Sequence, residues 1–396
     1  MKRLACFTPL PPSTSGIAQY SAELLPFLAR DFALDAIIAD DAPAPGPPPG
    51  IAVRRAGALP ANEPYAARLY QLGNSPEHAY ILDRAEREPG ICVLHDVTLQ
   101  HLQVWRALHG GPAAAASYRA EMAHRYGATG AAAADDVLHN RQPAILYAAI
   151  PLCERVVERS LATIVHSRYA RDLVLSHCPA AEVAVVPHGV LLLPEGDRRA
   201  ARDRLGLPRG AVIVAAVGNL IPEKRLEVAL RAFARSLFGV REALFVVAGA
   251  PSPHYDPRAM ARAHGLEPVT RWLGRIDAAT FEAVLAAADL CVNLRWPTGG
   301  ETSGSFLRML AAGRPTIISA AGSFDETPDD ACLKVPVGGE AEESAIVRSI
   351  LRVAHDPAWA AALGRRARAF AAESHSFERA AAGYRAVIEA VAGESR

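Results

Sequence analysis

Residues Arg295–Pro315 read RWPTGGETSGSFLRMLAAGRP, and the reading of this stretch decides the fold. The apolar run Cys291–Arg295 (CVNLR) that leads into it suits a buried strand. Thr298–Gly304 is small and polar, with Thr302 and Ser303 placed to cap a helix. Phe306, Leu307, Leu310 and Ala311 then fall on one helical face, and Gly313 followed by Pro315 gives the stop signal. A small-residue loop between a parallel strand and a helix aims backbone N–H groups and the positive end of a helix dipole at one point, where phosphate is the usual tenant. An ordinary capped helix in an α/β domain has the same pattern, so both readings stay open at this point. Glu301 is the odd member of the loop, because a carboxylate favours a helix N-terminus but repels phosphate. It suits the hydroxyls of something attached to a phosphate.

Working outward, the same alternation fills the chain. Leu4–Thr8 reads as a strand, then a Pro/Ser/Gly loop, then a helix with Ile17, Tyr20, Leu24, Phe27 and Leu28 on one face. That is the opening βα unit of a doubly wound sheet. The G-x-G-x-x-G signature is absent, so a nicotinamide enzyme is not indicated. Ser15-Gly16 at the helix start either brings backbone close to a ligand or marks a tight turn that needs glycine. Further strands are expected at Leu34–Ala39, Ile91–Leu94, Leu161–Val165 and Val183–Val186, whereas Tyr70–Ser75 reads as a loop. His95 stands one step past Ile91–Leu94, at the strand end where open α/β sheets bind ligands, and Asp96 reads as a helix cap. Ala113–Ala134 reads as a helix pair and Leu191–Arg209 as an interdomain linker.

The pattern restarts after that linker. Ala211–Val217 is a strand followed by Gly218-Asn219 and, a few residues on, Lys224-Arg225. Leu244–Ala248, Val269–Leu273 (ending in Gly274-Arg275) and Pro315–Ser319 are further strands; from Ala341 the chain is helical, closing with Phe377–Val391. Lys224 opens a helix, where a positive charge opposes the dipole; a bound anion would compensate it.

Composition narrows the class. The 396 residues suggest two or three domains, and 51% hydrophobic residues can fill sizeable cores. Lys+Arg and Asp+Glu both number 42, which gives no case for a nucleic-acid partner. The six cysteines form no C-x-x-C pair and read as reduced, buried thiols of a cytoplasmic protein. No apolar run approaches the ~20 residues that span a bilayer, and MKRLACFTPLPPS reads as a first strand rather than a signal peptide.

Together the motifs carry a family likeness over nearly the whole chain. They are Pro11-Pro12-x-x-Ser15-Gly16-Ile17-Ala18-x-Tyr20, Val186-Pro187-His188-Gly189-Val190, Gly218 through Lys224-Arg225, Gly274, and Ala311-Ala312-Gly313-Arg314-Pro315. In this order and spacing the chain resembles a divergent branch of the family 4 glycosyltransferases, retaining enzymes of the α/β GT-B fold, in which two Rossmann-like doubly wound domains face a central cleft. It departs from the family in two places: Asn219 stands where an Arg is usual, and Arg308 stands where a ribose-binding Glu is usual.

The resemblance implies an N-terminal acceptor-binding domain over 1–190, a nucleotide-sugar-binding domain over 191–374, and a helix over 375–396 crossing back to the first domain. It implies transfer of a sugar, with retention, from a UDP- or GDP-sugar to a glycan or lipid-linked acceptor, in polysaccharide or glycoconjugate assembly. The expected place is the cytoplasm, including the inner face of the membrane. His95, Lys224 and Glu301 are the expected catalytic residues. The donor site is expected from Ser15, Gly16, Gly218, Asn219, Lys224, Arg225, Gly274, Arg275, Glu301, Thr302, Ser303, Gly304, Ser305 and Arg308. No D-x-D motif is present, so neither a metal nor a cofactor is expected. Two alternatives stay open: a nucleotide-sugar epimerase of the same fold, and a non-catalytic nucleotide-sugar-binding subunit.

Overall fold

The computed structural model describes residues 1–46, 48–60, 63–139, 141, 149–192, 194, 196–253 and 255–394. The chain divides into two compact units. The first comprises Met1–Gly189, Gly299–Thr302 and Phe377–Arg396; the second comprises Val190–Thr298 and Ser303–Ser376.

The first unit is built on seven strands: β1 (Arg3–Phe7), β2 (Ala33–Ile38), β3 (Ala52–Arg55), β4 (Ala67–Leu72), β5 (Ile91–Leu94), β6 (Ala162–Val165) and β7 (Val183–Val185). They pair in parallel in the order β3-β2-β1-β4-β5-β6-β7. Cores cover both faces of this sheet, so β5 and β6 are buried throughout rather than alternating. Tyr70–Ser75 is where sequence reasoning erred: Tyr70–Leu72 lies in β4, between β1 and β5, and only the residues after it turn. Arg68 and Gln71 break the apolar run that would have marked a buried strand. Strand β3 carries Arg54 and Arg55 at the sheet edge and was equally hard to read. The helix Gly111–Leu138 breaks at Gly127 (φ 61°), giving the expected helix pair. Helix Phe377–Glu394 packs Phe377, Ala380, Tyr384 and Ile388 into the core beside helix Gly16–Leu28, and the final two residues assigned to it from sequence lie outside the described residues.

The second unit holds β8 (Val212–Val217), β9 (Ala243–Ala248), β10 (Thr270–Gly274), β11 (Leu290–Asn293), β12 (Thr316–Ser319) and β13 (Leu333–Val335), again parallel, in the order β10-β9-β8-β11-β12-β13. The stretch read as the interdomain linker contains helix Arg198–Leu205, with Asp197 as its cap and Gly206 in the left-handed region as its stop. Its Arg202 is buried, and the guanidinium reaches Asp289 (2.7 Å) and the carbonyls of Ala287, Arg209 and Ala211. A buried arginine satisfied in this way leaves no apolar stripe for a sequence to show. The six cysteines are all free and buried. Among the described residues no helix is long and apolar enough to cross a membrane.

Candidate active site

Each sheet gathers chemistry at the carboxyl ends of its strands. In the second unit, β8, β9 and β10 give way to glycines at positive φ: Gly218 (116°), Gly249 (151°) and Gly274 (65°). Gly218 N–H donates to Ala248 O, and Gly249 N–H donates to Gly274 O at 2.7 Å, so the three turns stack on one another. A Cβ on Gly249 would stand 1.9 Å from Gly218 O, which bars any side chain there. A Cβ on Gly218 would meet Lys224 Nζ at 2.5 Å and Ser305 Oγ at 3.6 Å. The ammonium therefore lies against bare backbone, beside the opening of the next helix.

That helix, Gly304–Ala311, starts as its sequence dictates. Ser303 is the cap and accepts the N–H of Phe306. Asn293, buried at the end of β11, ties the cap down: Ser303 Oγ donates to Asn293 Oδ1, and Asn293 Nδ2 donates to Ser305 Oγ at 3.0 Å. Lys224 also lines a small apolar recess with Ala216, Leu220, Leu226, Val292 and Asn293. Asn219 and Arg275 are exposed and Arg308 half-buried on the same unit.

Arg225 is placed differently from its expected role. It takes the left-handed conformation (φ 51°), and its guanidinium pairs with Glu342, fully buried in helix Gly339–His355. The side chain is thus engaged with its own fold.

In the first unit, three histidines end three neighbouring strands: His95 after β5, His166 after β6, and His188 shortly after β7. All three are buried around Tyr20, whose ring centroid lies 5.0, 5.8 and 4.2 Å from theirs respectively. Burial first, then the neighbouring imidazoles, pushes His95 well below its ordinary pKa, so it is neutral near pH 7. Its Nε2 faces Gln71 Oε1 at 2.7 Å. Sequence reasoning singled out His95 alone. The shared signal was an apolar strand followed by histidine, in ICVLH, ATIVH and VAVVPH. Gln71, Asn293 and Gly249 carried no such signal.

Ser15 caps helix Gly16–Leu28, accepting the N–H of Ile17. Gly16 has no positive φ, and a Cβ added to it would meet nothing within 4 Å. The turn does not need glycine here. Glu301 belongs to the first unit through its loop, where Gly299 O accepts the N–H groups of both Val97 and Thr98 at 3.0 Å. Gly300 sits at φ 82°, where a Cβ would strike Val97. Glu301 Oε2 folds back onto Gly299 N–H at 2.7 Å, and Thr302 Oγ1 is a buried atom with no hydrogen-bond partner.

The expected site residues thus form two groups. Ser15, Gly16, His95, Glu301 and Thr302 lie in the first unit; Gly218, Asn219, Lys224, Arg225, Gly274, Arg275, Ser303, Gly304, Ser305 and Arg308 lie in the second.

Residues 211–356 match the family described as Glycosyl transferases group 1. The structure shares its fold with sucrose-phosphate synthase from Thermosynechococcus elongatus (TM-score 0.71, 17% identity, covering 98% of this chain and 100% of that one). It shares it also with Anabaena HepE, solved in complex with UDP and glucose (TM-score 0.61, 13% identity, 98% of this chain and 100% of that one). The fold is GT-B, with two parallel-sheet α/β units. In sequence, the chain is 34% identical over 258 residues to the D-inositol 3-phosphate glycosyltransferase of Mycolicibacterium paratuberculosis, covering 61% of this chain and 56% of that protein. The chain spans about half the length of the curated relatives it matches. Apart from Gly299–Thr302, the family match falls within the second unit, while the likeness of fold extends over nearly the whole chain.

Proposed function

We propose that the protein transfers a glycosyl group from a nucleotide-sugar, of the UDP or GDP type, to an acceptor hydroxyl with retention at the anomeric carbon. The observation that carries this reading is the meeting of Lys224 Nζ, the bare backbone of Gly218 and Ser305 Oγ at the carboxyl edge of the second sheet. A departing nucleoside diphosphate gains negative charge as the glycosidic bond breaks. A cation and preorganised donors aimed at that charge are the main catalytic demand. The opening of helix Gly304–Ala311 adds dipole and N–H groups of the same sign. Gly274 and Arg275, at the end of β10, fall where the base would lie, three strand-ends along from the helix. Glu301 would take the sugar hydroxyls and His95 would face the sugar or the reacting centre, while Gly16 leaves room for close approach of ligand to backbone.

The names of relatives agree with this chemistry: inositol-phosphate glycosyl transfer for the sequence relative, and bound UDP with glucose for the structural one. The acceptor is read as a glycan or lipid-linked glycan of polysaccharide assembly, reached from the cytoplasm at the membrane face. The reaction is taken to proceed without a divalent metal or cofactor, since the sequence carries no D-x-D pair.

The test is a panel of UDP-, GDP-, ADP- and TDP-sugars. One nucleotide series should raise Tm, and with a suitable acceptor that donor should yield an α-linked product from an α-linked donor, unaffected by chelator. A panel in which no nucleotide shifts Tm overturns the reading.

A further inference from the structure

We infer that Gln71 is a positioning residue that sets the tautomer of His95, holding the proton on Nε2 so that Nδ1 presents a lone pair. A role for that lone pair toward a sugar hydroxyl rests on the functional reading above; the hold on the tautomer does not.

Gln71 is the penultimate residue of β4 and is fully buried. A polar amide in the middle of a parallel sheet costs free energy unless it is bonded. Its Oε1 lies 2.7 Å from His95 Nε2. Its amide nitrogen is buried without a hydrogen-bond partner. The amide carbonyl is the end turned toward His95, and a carbonyl can only accept. Nε2 must carry the hydrogen.

The neighbouring histidines have the opposite arrangement. His166 Nδ1 faces Val186 O and His188 Nδ1 faces Gly189 O, both at 2.9 Å. Main-chain carbonyls only accept, so those two rings carry the hydrogen on Nδ1. His95 is the odd tautomer in a cluster of imidazoles that pack tilted and edge-on, and Gln71 is the partner that makes it so. Its backbone is fixed too, by His95 N–H donating to Leu72 O at 2.9 Å. A neutral ring so held is an acceptor at Nδ1 that orients a hydroxyl rather than a base that removes its proton. Tyr384 comes from helix Phe377–Glu394 and meets Tyr20 Oη at 3.3 Å, so that helix backs the whole arrangement.

The experiment is long-range proton–nitrogen NMR of the histidine rings in the full-length, 15N-labelled protein near pH 7. His95 is assigned by His95→Asn. In wild type, His95 should show Nε2 protonated and Nδ1 bare, with His166 and His188 the reverse. Gln71→Met, close in size but with no acceptor, should remove that preference at His95 and leave the other two unchanged. Gln71→Glu should keep Nε2–H and raise the His95 pKa, because a carboxylate still accepts there. A wild-type His95 with its proton on Nδ1 overturns the inference, as does an unchanged tautomer in Gln71→Met; if that variant does not fold, the wild-type spectrum and Gln71→Glu decide. In turnover, kcat of Gln71→Met should fall about tenfold or more with KM for the donor little changed, the scale of one hydrogen bond lost to a substrate hydroxyl. If the tautomer moves as expected but no nucleotide-sugar shifts Nδ1 of wild-type His95, the glycosyl-transfer reading fails while the role of Gln71 stands.

Discussion

Arg225 and Glu342 form a two-pronged ion pair, Arg225 Nε to Glu342 Oε1 at 2.9 Å and Nη2 to Oε2, and Glu342 Oε2 also accepts the N–H of Gly338 at 2.7 Å. The carboxylate is fully buried, at the first turn of helix Gly339–His355. Removing one partner of such a pair leaves an uncompensated buried charge, which typically costs about 3–5 kcal/mol. Arg225→Ala should therefore lower thermal stability by about that amount. Arg225→Gly should cost about 1 kcal/mol less, because glycine occupies the left-handed region without penalty. Equal losses in denaturant titrations of the two variants would show that backbone strain plays no part.

Gly16 and Gly249 separate two uses of glycine. Gly249 stands at φ 151°, with Gly218 O where a Cβ would go. Gly249→Ala should force the β8 and β9 ends apart, destabilise by about 1–3 kcal/mol, and displace the Gly218 turn with it. Gly16 has ordinary backbone and open space around it. Gly16→Ala should leave Tm unchanged or raise it slightly, by up to about 1 kcal/mol of stability, since alanine restricts the unfolded chain. Its turnover should nonetheless fall, because the methyl group enters space kept for ligand. Unchanged activity in a stable Gly16→Ala would remove this helix start from the site.

The sequence disclosed the strands whose two faces are covered, since these carry no charged residue: β5 was located to the residue and β6, β8, β9 and β12 to within one. It concealed β4 because Arg68 turns outward to Glu88 while Gln71 is buried for the sake of His95. It concealed helix Arg198–Leu205 because a buried Arg202 does the anchoring that an apolar stripe usually does. What was legible in the sequence is position: His95 directly after β5 and Ser303 as the cap of helix Gly304–Ala311. The site was not legible where a residue acts through a partner distant in sequence. Arg225 meets Glu342 117 positions away, and no local pattern distinguishes that arginine from one that would meet a phosphate.

His78 makes stability depend on pH. It is buried, Nδ1 donates to Gln71 O at 3.0 Å, and burial pushes its pKa down to about 4 against the help of that hydrogen bond and of Glu77. The unfolded chain takes up this proton near 6.5, so between ~6.5 and ~4 the unfolded state binds more protons than the folded one. Stability is thus complete above ~6.5 and is lost as pH falls toward ~4, by on the order of 3 kcal/mol from this residue. Burial shifts His95 in the same direction and adds to the loss. His78→Asn, which keeps an amide N–H for the Gln71 carbonyl, should flatten the fall in Tm between pH 7 and 5. A variant as acid-sensitive as wild type would place the proton uptake elsewhere.

Lys224 and Glu301 should divide the donor between them. Lys224 Nζ lies against Gly218 and near Ser305 Oγ, beside the opening of helix Gly304–Ala311, a cationic place that suits the diphosphate. Glu301 is held in its loop by its bond to Gly299 N–H and has acceptor capacity for hydroxyls. A ligand at ~100 times its Kd adds ~2.7 kcal/mol of stability, so both effects are readable by thermal shift. For the nucleoside diphosphate whose sugar binds, Lys224→Ala should abolish the stabilisation by diphosphate and diphosphate-sugar alike. Glu301→Ala should keep the diphosphate response and lose only the increment that the sugar adds. Transfer should fall in both variants, and Lys224→Arg should recover part of it by restoring charge without the compact shape of the ammonium. If Glu301→Ala weakened the bare diphosphate as much as the sugar conjugate, Glu301 would be holding the loop rather than the sugar, and the specificity for the donor sugar would have to come from other residues of the site.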